Sequence, residues 1–373
     1  MKVTVEFSRK VSTGHCRQIF AGFSELGRLA PGSVEFVEND WNPKGSTHNL
    51  IRAVVNDSIP ILFDTNDGFH WIHANLEENI EFFRSDVLPN FELVFKRSYN
   101  LPSLAGFGAA AARVLPLGFN YEVTTPSNEI DRHCFGWRAA LKHKIRRSDL
   151  LSALLKVTGD REYLVERIER LPIPDHSATT PRILLLTRLW DPNGNDIARS
   201  PSQAREALAQ ERHEINQYRI ECLRVCRSAF GEAFVGGLAD DPYSRRVAGD
   251  LIVPASLTSK RNYTDQMHRS TICVATRGLH GSTGWRLGEY IAASRAIVSE
   301  AIADQVPGNF AAGENYLPFR SADELVAGIQ RLVTDPDLVR SMMWNNYTYY
   351  RCYLRPEALI LNALLRTQSL GRH

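Results

Sequence analysis

The 373-residue sequence has almost no charge excess, with 44 Lys and Arg against 42 Asp and Glu and a formal net charge of +2. No global field draws such a chain to nucleic acid or another polyanion, so any anion site must be local. Cysteine is sparse too. The six (Cys16, Cys134, Cys222, Cys226, Cys273 and Cys352) show no CxxC spacing, which argues against a zinc ribbon or a dithiol centre. Cys222 and Cys226, four apart in a helical pattern, read as reduced packing residues, and a reducing cytoplasm is the expected setting. Also missing are the ~18 consecutive apolar residues that a membrane span requires. The opening MKVTVEFSRKV has charges inside its short apolar stretch and lacks the form of a signal peptide or anchor. No repeat of ~20–50 residues suggests a solenoid.

What is present is the composition of a globular protein, 43% hydrophobic and 23% charged, in a chain long enough for two domains of ~100–200 residues. Residues 1–125 contain the strand-like runs VTVEF (3–7), SVEFVEN (33–39), IPILFDT (59–65), ELVFKRS (92–98) and ARVLPLGF (112–119), with a helical pattern over 74–87. Runs such as IPILF are apolar without alternation, as in strands buried on both faces, which predicts βαβ units and a mostly parallel sheet. Residues 126–180 read as helices followed by a Pro-, Ser- and Thr-rich linker. From 181 to 345 strand and helix alternate again: strands at 181–190, 232–238, 250–255, 271–278 and 296–300, helices at about 201–229, 262–269, 283–294 and 321–334. A helical tail, 346–373, is expected to cross back to the first domain. The fold class is therefore α/β, with two Rossmann-like doubly wound domains facing across a cleft, where open α/β sheets bind ligands.

The most informative segment is HGSTGWRLGEYIAASRAIVSE, 280–300. Gly281, Ser282, Thr283 and Gly284 follow a buried strand and open a helix, whose N–H groups and positive end suit phosphate. Glu289 on that helix, or Glu300 at the next strand end, offers a carboxylate for vicinal ribose hydroxyls. Together these features describe a nucleotide diphosphate site. The run Gly284-Trp285-Arg286-Leu287-Gly288-Glu289-Tyr290-Ile291-Ala292-Ala293, leading into Ala296-Ile297-Val298, resembles the donor-binding segment of GT-B-fold glycosyltransferases, including their group-1-like and exostosin-like branches. The resemblance extends more weakly over 181–335, and by architecture over the whole chain.

The resemblance implies a nucleotide-sugar donor held by a basic residue at the first strand end of the second domain, which is Arg188 here. Lys260, Arg261 and Arg277 follow other strand ends and are further cations for a diphosphate, whose oxygens accept bidentate guanidinium bonds. Many retaining members carry a second Glu eight residues before the ribose-binding one, but Gly281 stands there in this sequence. That departure favours an inverting outcome and leaves His280 as a candidate contact. No DxD pair occupies a strand end in the second domain. Asp240-Asp241 reads as a loop before Pro242, so metal independence is expected, with no cofactor beyond the nucleotide-sugar.

In the first domain FDTNDGFHWIH (63–73) runs from an apolar strand into Asp64, Asp67, His70 and His73. An inverting transferase needs a base to deprotonate the acceptor hydroxyl. Asp67, beside Gly68, is the first choice, with Asp64 and His70 as alternatives. Lys96, Arg97 and Asn120 also follow strand ends and are candidate acceptor or cleft residues, with salt bridges from the two cations to Asp64 or Asp67 as the structural alternative. Ser12-Thr13-Gly14-His15 reads as another small-residue loop. A basic stretch within 135–151, interleaved with apolar residues, is either a solvated face or a peripheral contact with anionic lipid. The expected activity is sugar transfer to a glycan or lipid-linked acceptor, as in bacterial surface polysaccharide or glycoconjugate synthesis. The alternatives are a nucleotide-sugar epimerase of the same fold and a degenerate glycan- or nucleotide-binding subunit.

Overall fold

In the computed structural model, residues 1–8, 11–39, 49–69, 75–131, 160–172, 181–195, 197 and 202–370 are described. The chain divides into two units: Met1–Ile168 with Gln305–Pro307 and Arg351–His373, and Glu169–Asp304 with Gly308–Tyr350.

Unit 1 runs β1 (Val3–Phe7), α1 (Thr13–Leu29), β2 (Val34–Glu38), β3 (Leu50–Val55), β4 (Ile59–Asp64), α2 (Leu76–Phe82), β5 (Leu93–Lys96) and β6 (Val114–Pro116). Its sheet has the order β2-β1-β3-β4-β5-β6. The expectation of a mostly parallel sheet needs one correction. β3 was not foreseen, and it runs antiparallel to both β1 and β4. Asn56 and Asp57 make the β3–β4 hairpin possible, because both adopt left-handed backbone (φ 52 and 58), which Asn and Asp tolerate better than other non-glycine residues. The segment Ser12–His15 is likewise no loop. Ser12 is the N-cap and Thr13 to His15 form the first turn of α1. Cys16, Ile19, Phe20 and Phe23 recur at helical spacing, and their burial in the core holds that helix on the sheet.

Unit 2 runs β7 (Ile183–Thr187), α3 (Ser202–Phe230), β8 (Phe234–Leu238), α4 (Lys260–Arg269), β9 (Ile272–Ala275), α5 (Trp285–Ala292), β10 (Ala296–Glu300), β11 (Leu317–Phe319), α6 (Ala322–Thr334) and α7 (Pro336–Tyr349). Every strand pairing is parallel, in the order β11-β10-β9-β7-β8. β7 and β9 are buried at every position, as expected of strands covered on both faces. The strand expected at 250–255 is instead a turn, Gly249–Leu251, followed by a single bridge from Ile252 to Leu238. Pro254 has no N–H with which to extend that ladder. After β8 forms on one flank of β7, the chain crosses to lay β9 on the other. The boundary between β7 and β9 is thus the point where strand order reverses, the usual ligand position in such sheets.

The chain then returns to unit 1 as α8 (Pro356–Leu370), whose Leu359, Ile360, Ala363 and Leu364 enter the same core as Ile19, Phe20 and Phe23 of α1. A glycine allows the approach: a Cβ at Gly22 would stand 2.3 Å from the carbonyl oxygen of Pro356. Among the described residues, no helix is long and apolar enough to cross a membrane. The stretch 135–151 lies outside the described residues.

Candidate functional site

The carboxyl ends of β7 and β9 are held together by one face of α3. Arg219, buried on that helix, donates to the carbonyl oxygens of Arg188 (2.7 Å) and Arg277 (2.9 Å) and to Thr276 Oγ1 (3.2 Å). Asn216 brackets the backbone of Trp190, accepting its N–H at 2.8 Å and donating to its carbonyl at 2.7 Å. Arg212 donates to the Asp191 carbonyl at 2.8 Å. These three residues recur at i, i+4 and i+7, so a single stripe of α3 fixes the loops after both strands.

That scaffold concentrates positive charge. The Arg188 guanidinium lies 4.0 Å from the centre of the Trp190 ring, and Arg212 lies 5.6 Å from the same ring. Arg286, in the first turn of α5, stands 5.6 Å over Tyr263. Burial pushes Arg219 down to about 9, with repulsion from Arg286 the next cause. Arg188 is lowered by burial and then by Arg286 and Arg212. Among the described residues neither Arg188 nor Arg286 has a carboxylate partner. Mutually repelling guanidiniums, two of which have no carboxylate partner among the described residues, favour binding of a polyanion.

Between β9 and α5 the chain makes a compact turn. The Gly278 N–H reaches the Ser282 carbonyl at 2.7 Å, and the Ser282 N–H reaches Leu279 at 3.1 Å. His280 and Gly281 are both left-handed, with φ 58 and 64. The His280 N–H donates to Glu211 Oε1 at 2.5 Å. Thr283 Oγ1 donates to Asp304 Oδ2 at 3.3 Å, and Gly284 is the N-cap of α5 with no side chain to block its first turn. Ser282 is buried.

Several expected ligand contacts are already engaged within the protein. Glu289 and Lys260 were expected to meet a ribose and a diphosphate separately; instead they form an ion pair with each other, and Lys260 also lies 5.8 Å from the Tyr263 ring. Lys260 and Arg261 do not follow a strand, since none forms at 250–255; they open α4. Arg261 is exposed and has no carboxylate partner among the described residues. The Arg277 side chain lies 3.7 Å from Glu300 Oε1, while its backbone N–H donates to Glu300 Oε2 at 2.7 Å. Burial raises the Glu300 carboxyl despite those contacts. Asp241 caps a short helix, Pro242–Ala248, and Asp240 pairs with Arg245.

In unit 1, β4 and β5 lie in register so that Asp64 faces Lys96. Their side chains are both 0% exposed and 3.0 Å apart. Asp64 Oδ1 also accepts the Asn66 backbone N–H at 2.9 Å and its side-chain amide at 2.7 Å, and Lys96 lies 4.7 Å over the Phe69 ring. Of the two readings of Lys96, cleft residue or salt-bridge partner, the structure shows the second, and the same pair closes Asp64, an alternative base, to solvent. Three residues beyond β4 and one beyond β5, Asp67 and Arg97 stand 2.9 Å apart, with Asp67 retaining 28% exposure. His15, in the first turn of α1, is lowered by burial and then by Arg97, against the raising effects of Asp67 and a Thr65 backbone hydrogen bond. The Asn120 amide donates to the His15 carbonyl at 3.0 Å. His70 and His73 lie outside the described residues. Among the described residues no group of three or more His, Cys, Asp or Glu could hold a metal ion.

Sequence reasoning gave no site role to Trp190, Glu211, Arg212, Asn216, Arg219 or Arg286, and read His15 only as part of a small-residue loop. The i, i+4, i+7 recurrence of Arg212, Asn216 and Arg219 was the available signal, but such a polar stripe on a long helix ordinarily reads as a solvated face.

No protein-family model matches the chain, and no curated protein does. Solved structures resemble it at low identity. The C-terminal domain of a glycosyl transferase group 1 family protein from Francisella tularensis is 12% identical, covering 50% of this chain and 95% of its own, with a TM-score of 0.33. Sucrose-phosphate synthase from Thermosynechococcus elongatus is 13% identical over 94% of this chain and 92% of its own, with a TM-score of 0.39. HepE from Anabaena, in complex with UDP and glucose, is 11% identical over 79% of this chain and 66% of its own, also with a TM-score of 0.39.

Proposed function

We propose that the protein is a glycosyltransferase that takes a sugar from a nucleotide-activated donor, with the donor diphosphate held in unit 2. One observation carries this reading: Arg188, Arg212, Arg219 and Arg286 converge at the switch point between β7 and β9, and Arg188 and Arg286 have no carboxylate partner among the described residues. A diphosphate supplies the bidentate acceptors that such a cluster needs. Negative charge on the leaving nucleoside diphosphate grows as the glycosidic bond breaks, so preorganised guanidiniums stabilise the transition state more than the ground state. In this reading the cations are side chains and the reaction is independent of metal. The small-residue turn Gly281–Gly284 adds the N–H groups at the start of α5 to the phosphate cradle.

The acceptor is a glycan or lipid-linked hydroxyl of the kind used in surface polysaccharide synthesis. Asp67 takes its proton: it lies three residues beyond the end of β4 and keeps 28% side-chain exposure. Gly281, in place of the second Glu of retaining families, favours inversion.

The test is release of nucleoside diphosphate from a panel of UDP-, GDP- and ADP-sugars, starting with UDP-glucose, with and without EDTA. The expected result is turnover that survives chelation and falls ~10²–10⁴-fold in Asp67→Asn. Failure of every nucleoside diphosphate to raise the melting temperature, together with no turnover, would remove the donor site. Interconversion of the donor sugar without diphosphate release would make the protein an epimerase. Activity lost on chelation and restored by Mg²⁺ or Mn²⁺ would overturn metal independence.

A further inference from the structure

The turn that leads into α5 contains a conformation that needs support. His280 has φ 58 and ψ 31, left-handed backbone that is disfavoured for a residue bearing a Cβ, and Gly281 continues it at φ 64. Glycine would adopt the first position without steric cost, but histidine occupies it. Glu211 reaches this position from α3. Its Oε1 accepts the His280 backbone N–H at 2.5 Å, and its Oε2 lies 3.8 Å from His280 Nδ1.

We propose that Glu211 is a positioning residue: its carboxylate holds His280 in the left-handed conformation, fixing the 278–284 turn and with it the direction in which α5 presents Arg286. The inference rests on the reading of unit 2 as a diphosphate site. It gives α3 a grip on both sides of the switch point. Arg212 and Asn216 hold the loop after β7, Arg219 holds the loops after β7 and β9 together, and Glu211 holds the turn beyond β9. Because one helix carries all four, the two loops keep their spacing before a ligand arrives, which lowers the ordering cost of binding.

A double-mutant cycle on the full chain tests this, combining Glu211→Ala with His280→Gly. Two readouts are taken: hydrogen exchange across 278–284 in the unliganded protein, and the Kd for UDP by calorimetry. Glu211→Ala is expected to speed exchange at 278–284 and to weaken UDP about tenfold, the scale of one strained backbone conformation. In the His280→Gly background the same substitution should cost no more than about twofold, because glycine enters the left-handed conformation without steric cost. Glu211→Gln retains an oxygen acceptor and should recover most of the affinity, which a purely electrostatic role for the carboxylate would not allow. Equal losses in both backgrounds would overturn the proposal, as would unchanged exchange at 278–284 in Glu211→Ala. If the wild-type chain binds no nucleoside diphosphate, the diphosphate reading fails, and the exchange measurement still decides whether Glu211 holds the turn.

Discussion

Replacing Arg286 by alanine separates binding from stability. In the free protein Arg286 contributes little to the fold, because its charge opposes Arg219 and Arg188 and no described carboxylate offsets it. The substitution forfeits a cation–π contact at 5.6 Å with Tyr263, worth ~0.5–1 kcal/mol at a partly exposed site. Relief of the repulsion on Arg219, whose pKa burial and Arg286 hold down to about 9, acts in the opposite direction. The two effects nearly cancel, so stability should change by less than about 1 kcal/mol, a few degrees in melting temperature at most for a chain of this size. Affinity for a nucleoside diphosphate should fall much more. Losing hydrogen bonds from a charged donor to phosphate costs ~1.5–3 kcal/mol, or about 10- to 150-fold in Kd. Calorimetric titration with UDP, paired with thermal denaturation in the same buffer, reads both quantities. Arg224→Ala provides the control, since Arg224 pairs with Asp250 at an exposed position, where such pairs contribute ~0–1 kcal/mol. A large drop in melting temperature with unchanged affinity would show that Arg286 is structural, and the charge argument for the site would fail.

Two further tests concern unit 1. Lys96→Met leaves Asp64 buried without its partner and should cost about 3–5 kcal/mol in urea unfolding, whereas Lys96→Met combined with Asp64→Asn should recover part of that loss. A single-variant cost below about 1 kcal/mol would mean the pair is not closed to water. His15 has a pKa below 6.5 when folded, first because of burial, so just below pH 6.5 its imidazole stays neutral in the folded chain where the unfolded chain takes up a proton there. Its contribution to stability is therefore complete above pH 6.5 and is lost as pH falls from 6.5 through the folded value. His15→Asn should flatten that part of the urea-midpoint profile, and an unaltered slope would refute the assignment.

The apolar runs ILLLT and ICVA could be read as doubly covered strands because nothing polar interrupts them, and both are buried throughout. The small-residue entry to α5 and the basic residue after β7 were visible for the same local reason. What escaped was set by tertiary packing. LIRAVV became a central strand only because the left-handed Asn56-Asp57 turn folds it onto β4, antiparallel in a sheet otherwise built from parallel pairs. Lys260 and Glu289, 29 residues apart, were assigned separate ligand roles, since sequence spacing does not reveal that α4 and α5 bring them together. The stripe Arg212, Asn216 and Arg219 has the polarity of a surface and the burial of a core. Only the strand ends it touches explain that.

The contact of α8 with α1 has a consequence for how the protein is made. Residues 351–370 leave the ribosome after every residue of unit 2, yet Leu359, Ile360, Ala363 and Leu364 belong to the core begun by Val3 and Val5. During synthesis the second sheet is therefore complete while the first still lacks one of its covering layers. The nascent chain carries an unfinished apolar face on α1 until α8 arrives, and a chaperone that recognises exposed Ile19, Phe20 and Phe23 would find its binding surface there.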